Sequence, residues 1–451
     1  MDLQSFVSQL NSVIQPQKAG GGGTAVSQVI TPAVAEIVSS NSKKVKIMIV
    51  STHINQANGY SKVAMNIINE LAAHDWISVV HFGTQKILNG DLGRKYPPGV
   101  KVIDGSALEK QKQAGFAFTE LPAVINSERP DIVLIYNDIA VICGYIEEIR
   151  KAIQERFFRI WAYMDIVYQS PPQTMIDIIN RDVERIFCFT KGWKEHIKSQ
   201  GITRSVDVMT HGIDGKVIRG LPRDLARQSI GLPKDVFLFS SLNKNIPRKR
   251  LDLLIMAFVK CIVKFPMKPI FMLVVADKGD KGGYHLFDIF ARELKLAGAS
   301  VEQLGNRLLI TSSGTCYKDD DINLINNCAD VGVSCAEGEG FGLCSFEQMA
   351  LGIPQIVPHI NGYAEYCNDG NSIMIKPRGR YYIPQAYNPV CGEAHVVDAE
   401  DVAKAMERYV FDEELRKMHG AAAKTTVGEY TWNKCVASLV KRLKAVQEDD
   451  D

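Results

Sequence analysis

The sequence predicts an α/β fold built from two Rossmann-like domains that face one cleft. Short apolar runs of strand length alternate with helix-length segments over residues 45–189, and the same pattern restarts over 236–357. A chain of 451 residues suits two or three domains, and 46% hydrophobic with 23% charged residues is a globular composition. Lys and Arg total 52 against 51 Asp and Glu, so a net charge of +1 offers little to a nucleic-acid backbone or an anionic membrane. The ten Cys form no C-x-x-C pair and no zinc spacing, and no signal peptide opens the chain. Reduced thiols in a cytoplasmic compartment are the expectation. The longest apolar run, 270–276, falls well short of the roughly 20 residues that span a bilayer.

Residues 1–43 form an amino-terminal extension. Leu3, Phe6, Val7, Leu10, Val13 and Ile14 recur at helical spacing and mark one apolar face, Pro16 ends the helix, and Gly20 to Gly23 read as a flexible link. Thr31 and Pro32 offer a cap and first turn for a second short helix. The first helix either lies on the protein's own surface or docks on a partner or membrane surface; with only Asp2 on its polar face and no Lys or Arg, the membrane version is the weaker.

The first domain, residues 44–210, opens with the strand 45–50 (VKIMIV), a loop containing Asn58 and Gly59, a helix over 61–73 and a strand at 77–82, which together make a βαβ unit. Further strands are expected at 132–136, 158–163 and 185–189. The second domain, 211–430, has expected strands at 236–242, 270–276, 307–311, 331–334 and 355–357, with helices over 251–265 and 322–329. The junction falls at 211–214, and a final amphipathic helix, 431–447, runs from Trp432 through Val440, Leu443 and Val446. Residues 378–398, with Tyr381, Tyr382 and Tyr387, read as an irregular insert. Open α/β sheets bind ligands at the carboxyl ends of their strands, which places the site in the cleft.

The most informative stretch is 335–358, CAEGEGFGLCSFEQMALGIPQIVP. A strand ends at Ser334, glycines 338, 340 and 342 follow, and a helix runs from about Leu343 to Leu351. Glycines let backbone approach a ligand closely, and amides at a helix start attract phosphate. The spacing is neither G-x-G-x-x-G nor a Walker loop. Glu339 and Glu347 would repel phosphate if aimed at it, so both suit neutral hydroxyls, such as those of a sugar, on either side. The alternative is a capping Glu followed by an ordinary exposed one. Residues 243–250 (NKNIPRKR) hold four cations in eight, and two cations five residues apart at a strand end can clamp the phosphates of a nucleoside diphosphate. A solvated or import-signal cluster is the plainer reading of the same run.

With Glu339, Gly340, Phe341, Gly342, Leu343 and Glu347 in place, followed by 349–354 (MALGIP), the sequence resembles the retaining GT-B glycosyltransferases of glycosyltransferase family 4, over residues 45 to about 446. The resemblance implies a GT-B fold and transfer of a hexose from a UDP- or GDP-sugar to an acceptor hydroxyl. It assigns Glu339 to donor-sugar hydroxyls, Glu347 to the nucleotide ribose, and the amides of Phe341, Gly342 and Leu343 to the diphosphate. Lys249 matches the family's Lys; Lys244 stands where the family has Arg and loses its bidentate fork, so Arg248 could share the task. Gly314, Thr315 and Cys316 fall where the family holds the base through backbone. Gly59 and Tyr60 fall on the loop near donor phosphates or acceptor, or make a plain strand-to-helix turn.

Many relatives carry a His late in the first domain. Here Met164 takes that place, and Asp165, with Asn137 and Asp138 as rivals, is the candidate to take over part of its role. His53 and His211 read as structural. The run 319–321 (DDD) could suggest a metal; the family works with cations and a helix start instead, so the run reads as the cap of a helix at Ile322, and no metal or other cofactor is expected. The final helix is expected to cross back onto the first domain. The resemblance thus implies a metal-independent, cytoplasmic hexosyltransferase, with nucleotide-sugar donor and hydroxyl acceptor as partners and no nucleic acid. A catalytically silent GT-B scaffold is the alternative, and a nucleotide-dependent oxidoreductase is disfavoured because no G-x-G-x-x-G lies near Gly59.

Overall fold

A computed structural model of the chain describes residues 44–86, 91–276, 283–311, 317–385 and 390–450. The amino-terminal extension 1–43, with its predicted helices, lies outside the described residues, as do Gly314, Thr315, Cys316 and Tyr387.

Two parallel sheets form the frame. The first contains β1 (Val45–Thr52), β2 (Ile77–Thr84), β3 (Lys101–Asp104), β4 (Ile132–Asp138), β5 (Arg159–Asp165), β6 (Arg185–Cys188) and β7 (Ser205–Val208) in the order β3-β2-β1-β4-β5-β6-β7. The second contains β8 (Phe237–Leu242), β9 (Ile270–Val275), β10 (Leu308–Ile310), β11 (Val331–Val333), β12 (Gln355–Pro358) and β13 (Ser372–Ile375) in the order β10-β9-β8-β11-β12-β13. Central strands such as β1 are apolar on both faces because helices cover both sides of each sheet.

Six helices matter for the site: α1 (Gly59–Ala72), α2 (Lys191–Ser199), α3 (Leu251–Lys264), α4 (Asp319–Asn327), α5 (Leu343–Ala350) and α6 (Trp432–Asp450). Asn58 caps α1, its side chain accepting from the Ser61 amide at 2.9 Å, so the helix starts two residues before the expected point. Val63, Ala64, Ile67, Ile68 and Leu71 recur every three or four residues and are buried against β1 and α6. Helix α6 does cross back: Trp432, Val436, Leu439, Leu443 and Val446 join a core that holds α1 residues together with Phe341, Phe346 and Tyr366 of the second half. Burial of a shared apolar core makes the two halves interdependent.

Three expectations need correction. Strands β3, β7 and β13 were absent from the sequence reading; β3 is an exposed edge of four residues and β7 (SVDV) alternates polar residues, so neither shows an apolar run. Residues 378–398 are not irregular: β14 (Gly379–Ile383) and β15 (Gly392–Val396) pair as an antiparallel hairpin. Arg380 bonds Glu393 across the hairpin at 2.7 Å, and the hairpin's tertiary partners are Glu337, which accepts from Tyr381 at 2.7 Å, and Gln169 of the first half, which bridges to Glu393 through the backbone. Finally, the acidic run 319–321 does not precede its helix but is the first turn of α4, where Asp321 accepts from the Lys318 amide at 2.9 Å and the helix dipole favours negative charge.

Candidate functional site in the cleft between the sheets

Strand order reverses between β1 and β4 in the first sheet and between β8 and β11 in the second. At such a reversal the loops leave in opposite directions and open a crevice at the carboxyl edge. The loop before α1, the ends of β4 and β5, the run 243–250 and the glycine loop 335–342 are the segments at those two edges, and they meet.

Glu339 is buried on the glycine loop. Lys249 pairs with its Oε2, and Arg248 donates to the same oxygen at 3.3 Å and to the Gly338 carbonyl at 2.6 Å. Burial pushes the Glu339 carboxyl up, but the two cations outweigh it and hold it below the usual range. Lys244, on the same run, is exposed and makes no ion pair among the described residues. Of the basic residues of the run, Arg248 and Lys249 are the two that the 3-10 turn 247–249 brings onto Glu339.

Glu347 lies one helical stretch further on, buried in α5. Its carboxylate accepts from Lys62 of α1 at 2.8 and 3.1 Å. Lys62 also stands 3.9 Å from Asp319 of α4. Burial pulls the Lys62 ammonium down, and Glu347 and Asp319 more than reverse this, so it is raised. Arg94 grips Asp319 with two bonds, of 2.8 and 2.7 Å, while also donating to the carbonyls of Ile54 and Gln56 and the Ser61 hydroxyl. One guanidinium thus ties the loop before α1 to α4 of the other half. Among the described residues no group of three or more His, Cys, Asp or Glu is placed to hold a metal ion.

Asp165 ends β5, beside Asp138 in register. Tyr60 donates to its Oδ2 at 2.6 Å, while Oδ1 is sealed from solvent without a hydrogen-bond partner. Burial pushes the Asp165 carboxyl up to about 6; Tyr60 and Arg248 restrain the rise and Glu339 adds to it. A Cβ on Gly340 would stand 1.8 Å from Asp165 Oδ1, so only glycine lets the loop pass there. Gly342, at φ 88°, caps α5 in the left-handed region. Gly338 and Gly340 lie against Tyr168 and Asp165 of the first half, and Gly342 against Tyr363 and Tyr366 of the second. Gly59 faces Leu343 across the cleft, a Cβ there reaching Leu343 at 3.5 Å.

The rivals to Asp165 are otherwise engaged: Asp138 caps the helix at 139–152, accepting from the Val141 amide at 3.0 Å, and Asn137 accepts from the Asp138 amide at 2.9 Å. Met164 is buried in the core of the first half. His211 is packed among Phe189, Phe341 and Trp432, and burial alone drives its imidazole down to about 3, so it is neutral at physiological pH. His53 is buried, accepts from the Asn55 amide at 3.0 Å and is likewise lowered by burial.

Sequence reasoning missed Lys62, Arg94 and Trp193, whose indole donates to the Gly340 carbonyl at 3.0 Å. Their partners lie 285, 225 and 147 residues away, with no local motif to flag them. Around Lys62, Leu343, Glu347, Asp319 and Trp432 a cavity of only about 20 Å³ remains. A small-molecule site usually offers roughly 300 to 1,000 Å³, so this cavity is too small to be one.

Residues 222–426 match the family described as glycosyl transferases group 1. A stretch of 170 residues is 28% identical to D-inositol 3-phosphate glycosyltransferase 2 of Catenulispora acidiphila, spanning 37% of this chain and 38% of that protein. Among solved structures, sucrose-phosphate synthase of Thermosynechococcus elongatus superposes with a TM-score of 0.66 at 15% identity, over 89% of this chain and 99% of that one. Anabaena HepE in complex with UDP and glucose gives a TM-score of 0.64 at 15% identity, over 89% and 100%. Two facing parallel sheets and a returning final helix, shared with these structures, give the chain the GT-B fold, and its second half is similar to glycosyl transferases group 1.

Proposed function

We propose that the protein is a retaining hexosyltransferase that moves a sugar from a UDP- or GDP-sugar to an acceptor hydroxyl on a glycan, lipid or protein. The observation that carries this reading is the pair Glu339 and Glu347, eight residues apart, both buried at the cleft and both resting on cations beside the start of α5. Carboxylates in that setting suit sugar and ribose hydroxyls, and the cations suit the diphosphate. Further support comes from HepE, whose structures hold UDP-glucose, and from the E. coli trehalose-6-phosphate protein bound with UDP-2-fluoro glucose.

Catalysis is then positioning and charge stabilisation. Arg248 and Lys249 neutralise the departing diphosphate, Glu339 orients the donor sugar, and Asp165 sits beneath Gly340 where the acceptor side meets the donor loop. Acceptor attack and diphosphate departure share one face, and a leaving-group phosphate oxygen takes the acceptor proton. No metal is required.

A silent GT-B scaffold is the second reading, favoured by Met164 in place of a His. Incubating the purified chain with a panel of UDP- and GDP-sugars, with and without acceptor sugars and with a chelator, separates the two. Release of nucleoside diphosphate that survives the chelator is expected. Absence of turnover with every donor favours the scaffold, and turnover abolished by the chelator refutes metal independence.

A further inference from the structure

We infer that Lys62 of the first half is a cation for the donor's diphosphate, handed over from Glu347 when the nucleotide's ribose takes that carboxylate. This rests on the transferase reading above and adds a residue to it. At the described cleft, Arg248 and Lys249 lie on Glu339, Arg94 lies on Asp319, and Lys62 lies on Glu347. A dianion entering this neutralised site gains most where a cation can turn from a carboxylate toward it. Ribose hydroxyls donating to Glu347 compete with Lys62 for the carboxylate oxygens, which lets the ammonium turn toward a phosphate.

Geometry separates Lys62 from Arg94. Arg94 is fixed by two bonds to Asp319, two to carbonyls of the loop before α1 and one to the Ser61 hydroxyl of α1, and its planar fork has little freedom to leave. The described side-chain bonds of Lys62 go to Glu347, and its ammonium swings on a flexible stem. It also borders the same small cavity as Leu343, the first residue of α5, where backbone amides face an incoming phosphate. With Lys244 exposed on the far run, the two phosphates are met from the second half by Arg248 and Lys249 and from the first by Lys62. Binding of the diphosphate thereby links the halves through the ligand instead of through the Lys62–Glu347 pair.

Calorimetric titration of the full chain with UDP, GDP, uridine and guanosine tests this on wild type, Lys62→Met and Lys62→Arg. For whichever base binds, Lys62→Met is expected to weaken the diphosphate about tenfold, with less than about twofold change for the nucleoside, and Lys62→Arg to recover most of the loss. Should Lys62→Met not fold, Lys62→Gln keeps a donor toward Glu347 and carries the same expectation. Unchanged or tighter diphosphate binding, or equal losses for nucleoside and diphosphate, overturns the inference while the transferase reading stands. Failure of wild type to bind any diphosphate overturns both.

Discussion

Replacing Asp165 by Asn probes the point where burial and chemistry pull in opposite directions. The Asp165 carboxyl has a folded value of about 6 against an ordinary 3.8. A raised value means that the native state holds the proton more tightly than the unfolded chain does. The contribution therefore favours folding below about pH 4 and is withdrawn as the pH rises through 6. That gap, at roughly 1.4 kcal/mol per pH unit, corresponds to about 3 kcal/mol. Asp165 retains some solvent contact, which trims the gain to about 2 kcal/mol at pH 8. Asn keeps an acceptor for the Tyr60 hydroxyl, so the substitution removes the charge and little else. Urea unfolding followed by tryptophan fluorescence is expected to show the variant more stable than wild type at pH 8, with the difference shrinking toward pH 4. Sugar transfer is expected to fall at the same time, a functional group being kept at a cost in stability. A variant less stable than wild type at pH 8, or a stability difference that ignores pH, would refute the reasoning.

Three further outcomes follow from the same geometry. Glu339→Gln is expected to lower kcat for transfer about a hundredfold or more while the protein still folds, because the side chain keeps its shape but no longer balances Arg248 and Lys249; steady-state assays beside circular dichroism check this. Gly340→Ala is expected to abolish transfer and to open the cleft, since the new methyl falls on Asp165 Oδ1; small-angle scattering reads the larger radius of gyration. Arg94→Met leaves Asp319 without its bidentate partner and is expected to destabilise the protein by about 3 kcal/mol at pH 7. The Asp319 carboxyl is pushed up by burial and pulled further down by Arg94 and Lys62, so this loss starts to shrink as the pH falls below the ordinary carboxylate value and is smaller at pH 3.5 than at pH 7, which denaturation at the two pH values measures.

Much of this protein could be read from local pattern. The central strands declared themselves because a parallel strand covered on both faces must be apolar along its length, as VKIMIV and FMLVV are. Helix α5 and the paired Glu339 and Glu347 were legible because glycines, helix start and carboxylates lie within one short stretch, and their spacing is itself the signal. Edge strands β3 and β7 escaped because an edge needs no apolar run, and the β14–β15 hairpin escaped because what steadies it comes from Glu337 and from Gln169 in the other half.

The partners of the site residues were a different matter. Nothing along the chain distinguishes Lys62 from any helical lysine, or Arg94 from any loop arginine, or says that Arg248 turns inward while Lys244 faces solvent. Sequence by itself determined which segments become strands and helices and where the two carboxylates sit, because those depend on periodicity and on residues close together in the chain. Only the tertiary structure decided which charges face one another across the cleft, because ion pairing depends on distance in space, and these pairs are made by residues up to 285 positions apart.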